Sequence, residues 1–132
     1  MIVDTGVLYA LVDRSDRHHR AAKRLFASRE LKIVPEPVVV ETDWLILERL
    51  GPEIEGEFLA GLGTLRIEAP EEVDRVRAAE IVAKYRELEL GYVDAIVVAL
   101  AEKLDQRRIA TVDRRHFSVV RPRHVASFEL VP

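Results

Sequence analysis

Short apolar segments alternate along this chain with stretches of helical period, and that alternation limits the possible folds more than any other feature. Met1-Ile2-Val3 reads as a buried strand, as do Leu31–Val34, Thr64–Glu68, Arg108–Val112 and Ser127–Val131. Between them lie segments with apolar residues at helical spacing. A strand that returns through a helix must pair in parallel with its predecessor, and the helices must cover the sheet. The expected fold class is α/β: a mostly parallel central sheet of about four to five strands, flanked by helices on both faces, in one domain spanning residues 1–132.

The helical segments have legible starts and stops. Val7–Val12 follows the first strand across Gly6, and Ser15-Asp16 is placed to cap a second helix that ends near Ser28. Pro35 closes the second strand. Pro37 suits an early helical position, opening Val38–Leu50, with Glu41 placed in the first turn and Trp44, Leu45 and Leu47 expected in the core. Gly51-Pro52 ends that helix, and a short amphipathic piece follows to Leu62. Pro70-Glu71-Glu72 starts a long helix to about Leu90, with Val73, Val76, Ile81 and Tyr85 as its pattern; Gly91 breaks it. Ala95–Ala101 is so apolar that it must lie mostly inside.

Composition excludes several function classes. There are no cysteines, which rules out disulfides and thiolate metal sites and fits a reducing cytoplasm. No apolar run approaches the ~20 residues of a membrane span, and no signal segment precedes the first strand. Net charge is −3, so the molecule as a whole is not a basic nucleic-acid binder. Arginine nevertheless clusters between Arg107 and Arg123, where Asp113 is the only acid. Guanidinium suits bidentate phosphate contacts, although a solvated face is the commoner use of such a cluster.

Four acids stand where chemistry would sit. Asp4 and Asp113 end strands, Glu41 follows the second strand, and Asp94 begins the most buried helix. Ligands of an open α/β sheet bind outside the carboxyl ends of its strands. Each acid alone is most simply a helix cap or dipole partner. Together they form a cluster whose members, about 4 Å apart, would repel by roughly 4 kcal/mol per pair at an effective dielectric near 20. Such a cluster needs protons or a cation. With oxygen ligands only, the cation should be hard, Mg²⁺ or Mn²⁺, which suits water attack on a phosphodiester. Thr5 and Thr111 either orient these carboxylates or cap. Arg114, Arg115 and His116, beside Asp113, are candidates for holding a polyanionic phosphodiester backbone. No Gly-rich phosphate loop or nucleophile elbow is present. His18-His19 is adjacent on a helix and does not share a face.

Read together, I-V-D-T at the amino terminus, P-x-V-V-x-E-T-D at 35–43, V-D-A-I-V-V-A-L-A at 93–101 and T-V-D-R-R-H-F at 111–117 resemble a PIN-domain ribonuclease, specifically the toxin of a VapBC-type toxin–antitoxin pair. The resemblance covers essentially the whole chain. It implies a PIN-like α/β domain with an acidic pocket of Asp4, Glu41, Asp94 and Asp113, supported by Thr5 and Thr111. It further implies Mg²⁺- or Mn²⁺-dependent endonucleolytic cleavage of transfer or ribosomal RNA, leaving 3′-hydroxyl and 5′-phosphate ends. The partners it implies are a cognate antitoxin that covers the pocket, the RNA substrate and a second copy in a homodimer, in the cytoplasm and away from membranes.

Two departures stand out. Gly6 replaces the Ser or Asn of many members, and Arg114-Arg115-His116 occupies a stretch where many carry a further acid, which favours one metal ion over two. Two alternatives remain at this level. A receiver-like regulatory domain also gathers aspartates at strand ends, but would need an acidic pair after the first strand and a late Lys outside a helix, whereas Lys103 lies inside one. A degenerate PIN scaffold that only binds RNA or a partner would lack some of the four acids.

Overall fold

The computed structural model describes all 132 residues. Its sheet has five strands: β1 (Ile2–Val3), β2 (Ile33–Pro35), β3 (Arg66–Glu68), β4 (Arg108–Ala110) and β5 (Glu129–Val131). Every pairing is parallel and the order is β3-β2-β1-β4-β5. The register sets Ile2 opposite both Ile33 and Ile109, and Ala110 opposite Val131. Successive residues in a strand point to opposite faces. Ile2, Val3, Ile33, Val34, Ile109 and Ala110 are all essentially inaccessible, so helices cover the sheet on both sides.

Those helices are α1 (Thr5–Val12), α2 (His19–Ala27), α3 (Glu36–Leu50), α4 (Pro52–Ala60), α5 (Glu72–Lys84), α6 (Gly91–Lys103) and the one-turn α7 (Arg114–Phe117). Every residue from Ala95 to Ala101 of α6 is buried, as its composition requires. Gly51 ends α3 with φ +90°, a conformation open chiefly to glycine, and Pro52 then starts α4. No helix is long and apolar enough to cross a membrane.

Four expectations are corrected. Trp44 and Leu47 are 59% and 43% exposed; the inner stripe of α3 is Val38, Val39, Thr42 and Ile46. On α5, Val73 and Val76 face solvent, while Asp74, Ala78 and Ile81 face inward. That helix stops at Lys84, and a separate 3₁₀ turn, Arg86–Leu88, fills the interval before Gly91. Because α3 begins at Glu36, Glu41 lies in its second turn.

The chain proceeds from β1 outward to β2 and β3, then crosses to the other side of β1 for β4 and β5. The switch in direction falls between β1 and β4, where an open α/β sheet leaves a crevice at its carboxyl edge. A receiver-type sheet has the order 2-1-3-4-5. The observed order rules that alternative out.

Candidate active site at the switch point

Asp4 follows β1 and Thr111 follows β4, so the sheet itself sets them face to face. The Asp4 N–H donates to Ala110 O (2.9 Å) and the Thr111 N–H to Val131 O (2.8 Å), holding both backbones in the ladder. Across the crevice the Thr111 hydroxyl donates to Asp4 Oδ2 at 2.8 Å and accepts from the Asp113 N–H at 3.1 Å.

Asp4 occupies the N-cap position of α1 with an extended backbone, yet its side chain caps none of the first-turn N–H groups. The commonest use of an acid at this position is therefore not its use here. It is 6% exposed and its carboxyl is pushed up from 3.8 to about 7. Burial is the main cause and the nearby Asp94 charge is next. The Thr111 hydroxyl and the Thr5 amide oppose the rise, and Glu41 adds to it.

Asp94 lies in the first turn of α6, its side chain 21% exposed. Burial raises its carboxyl. His116 counteracts this through a hydrogen bond and charge, while Glu41 and Asp113 raise it further. His116 Nδ1 sits 2.5 Å from Asp94 Oδ2, a contact in which Nδ1–H donates whenever the carboxylate is ionised. Glu41 reaches the same locale from an exposed position on α3. Asp113 is exposed and does cap: its Oδ1 accepts from the Arg115 N–H at 3.0 Å, starting α7. It stands beyond the end of β4 at Ala110, three residues later than a strand-terminal position.

The four predicted acids thus share one locale, where Asp94 and Glu41 act on Asp4, and Glu41 and Asp113 act on Asp94. No three carboxylates or imidazoles converge on a single point at metal-ligand separation in this arrangement. That is compatible with Mg²⁺, which takes one or two carboxylates and keeps several waters. The donor set fits a hard divalent ion in three respects. It is all oxygen; Asp4 is buried without any cationic partner; and Thr5 Oγ1 is buried with no hydrogen-bond partner at all.

Of the basic triplet, Arg114 donates to Leu130 O (3.3 Å) and Pro132 O (2.5 Å), and His116 turns inward to Asp94. Arg115 is exposed, and its guanidinium makes no hydrogen bond or ion pair within the chain. His18 and His19 do not form a pair: His19 Nδ1 meets Ala10 O, whereas His18 Nε2 accepts from Arg17. Of the four acids, Glu41 lines a groove together with Pro37, Val40, Trp44, Tyr92 and Val93. A larger cleft, lined in part by Leu11, Arg14, His19, Leu50 and Phe58, contains none of the four acids, and the chemistry described here does not belong to it.

The PIN domain family model matches residues 1–121, a span that contains all four acids. The chain belongs to the PIN-domain family. Among PIN-domain relatives it is 36% identical over 137 residues to Ribonuclease VapC26 of Mycobacterium tuberculosis (strain ATCC 25618 / H37Rv), with all of both chains covered. Its fold superposes on the crystal structure of Mycobacterium tuberculosis VapC20, described as a Sarcin-Ricin loop cleaving toxin, with a TM-score of 0.83 and 27% identity. That match covers 95% of this chain and 98% of the other. Against the PIN pattern with Ser or Asn after D-T, Gly6 has no room for a side chain: a β-carbon there would overlap the Val112 Cγ2 methyl. Sequence reasoning missed both this contact and the His116–Asp94 bond, since each joins residues distant in the chain.

Proposed function

We propose that this chain is a divalent-metal-dependent endoribonuclease and the toxin half of a type II toxin–antitoxin pair, acting in the cytoplasm on structured RNA such as transfer or ribosomal RNA. One observation carries the reading: Asp4 is buried at the switch point of the sheet, uncapped and without a cation, among Asp94 and Glu41. Membership of the PIN-domain family and the ribonuclease and toxin names of its relatives support it.

Asp4, Asp94 and Asp113, with Glu41, are the residues we assign to hold Mg²⁺ or Mn²⁺, one or two of them directly and the others through its waters. When bound, such an ion lowers the pKa of its water and offsets charge developing on a phosphodiester. Thr111 fixes the Oδ2 of Asp4, leaving its other oxygen for the crevice. His116 holds Asp94 in the same way. The unpartnered Thr5 hydroxyl supplies a further oxygen inside the pocket, and Arg115 is placed to meet the RNA backbone. The products expected from the PIN-domain resemblance are a 3′-hydroxyl and a 5′-phosphate. A cognate antitoxin is the expected inhibitor, a cationic side chain over the acids being the complementary cover. Homodimerisation is supported by the apolar residues left exposed beside the acids, Val40, Trp44 and Tyr92.

The test is a Mn²⁺ titration with a nuclease assay on purified protein. Cleavage should require the ion, vanish with chelator and return on re-addition. At one hundred times its dissociation constant the ion should add about 2.7 kcal/mol of stability. Chelator-insensitive cleavage would exclude the metal mechanism.

A further inference from the structure

We propose that Gly6 and Val112 form a size-matched pair that sets the spacing between the Asp4 turn and the Asp113 turn, making Gly6 a positioning residue for the metal site. This inference rests on the metal-site reading of the four acids. Gly6 lies in the first turn of α1, two residues after Asp4. Val112 lies between Thr111 and Asp113 in the turn that joins β4 to α7.

Glycine is a poor choice within a helix, exceeded only by proline. A positive φ would justify it, but only Gly51 and Gly91 have one. The requirement at Gly6 is therefore space. The methyl of Val112 occupies the position a β-carbon would take, and no other glycine meets a neighbouring side chain: Gly56 and Gly63 have open space around them, and Gly61 faces only backbone oxygens at ordinary contact distance. Valine has few rotamers, so Val112 cannot easily swing aside. A side chain at position 6 would instead push the 111–113 turn outward. That turn carries the hydroxyl bonded to Asp4 Oδ2 and the backbone leading into Asp113. The two turns are thus tied twice, once by a hydrogen bond and once by this contact.

The experiment compares wild type, Gly6→Ala, Val112→Ala and the double variant, measuring Mn²⁺ affinity by calorimetry, RNA cleavage, and melting in chelator. We expect Gly6→Ala to stay folded and to weaken Mn²⁺ binding about tenfold, as displaced supporting groups do. Its turnover should fall while KM for RNA stays put. Adding Val112→Ala should restore affinity to within about threefold of wild type, since the cavity it opens accepts the new methyl. In chelator the double variant should also regain any melting temperature lost by Gly6→Ala. Unchanged Mn²⁺ affinity in Gly6→Ala overturns the pairing, and so does a loss that Val112→Ala fails to restore. If Gly6→Ala does not fold, a folded, metal-binding double variant supports the pair and an unfolded one overturns it. Wild-type protein that binds no Mn²⁺ overturns the metal site itself, and the positioning role with it.

Discussion

Asp4 and Asp74 are two buried aspartates at helix starts, and they are provisioned in opposite ways. Asp74 Oδ2 accepts from the Glu71 N–H (2.8 Å) in a reciprocal capping box and receives the Lys103 ammonium at 3.0 Å. Its desolvation is offset by a dipole end and a cation. Asp4 is nearly as inaccessible but has one hydroxyl partner and two acids for neighbours. The same residue type thus meets two different surroundings: Asp74 finishes a helix, whereas the Asp4 carboxyl is left without a compensating charge.

The sharpest way to break this contrast is exchange by a neutral isostere. Asp4→Asn should lower divalent-dependent RNA cleavage by about a thousandfold, the loss of a principal transition-state contact, without lowering the melting temperature. A large loss of stability would make Asp4 a structural residue like Asp74.

Next in size is pH dependence without metal. Asp4 titrates near 3.8 in the unfolded chain and at about 7 in the folded one. Between these values the native state holds a proton that the unfolded state has released. Stability should therefore fall as pH rises from about 4 to 7, by about 4 kcal/mol at most, and level off above. Denaturation curves in chelator should show this slope in wild type and a shallower one in Asp4→Asn, where the raised Asp94 carboxyl still contributes. Saturating Mn²⁺ should flatten it, because the ion favours the carboxylate.

The converse substitution, Asp74→Ala, should cost about 2 kcal/mol of stability through the lost cap and ion pair, with metal affinity unchanged. Thermal melts and calorimetry on the same sample check both halves. Smallest of all, Thr111→Val should cost about 1 kcal/mol. By removing a hydrogen bond that favours the ionised form, it should also move the Asp4 midpoint upward, visible as a pH-stability curve displaced to higher pH.

The architecture was legible because apolar strands and capped helices leave local marks. Asp4, Glu41, Asp94 and Asp113 were legible as neighbours because strand ends and the starts of the helices beside them share an edge. What failed was rotational phase. On α3 the inner stripe runs through Thr42 and leaves Trp44 outside; on α5 it runs through Asp74 and Ala78 and leaves two valines outside. Residue size suggested the opposite in both helices, and only the packing of neighbours decides which side turns inward. The single turn of α7 is too short to carry a period. His116 reaches Asp94 from 22 positions away, a separation invisible to local pattern.

Arg114 gives the outer strand an unexpected use. Its guanidinium clasps the Leu130 and Pro132 carbonyls, which ties the last strand to the turn carrying Asp113 and His116. Amide exchange along β5 should therefore quicken in Arg114→Ala, readable by mass spectrometry without touching a single acid.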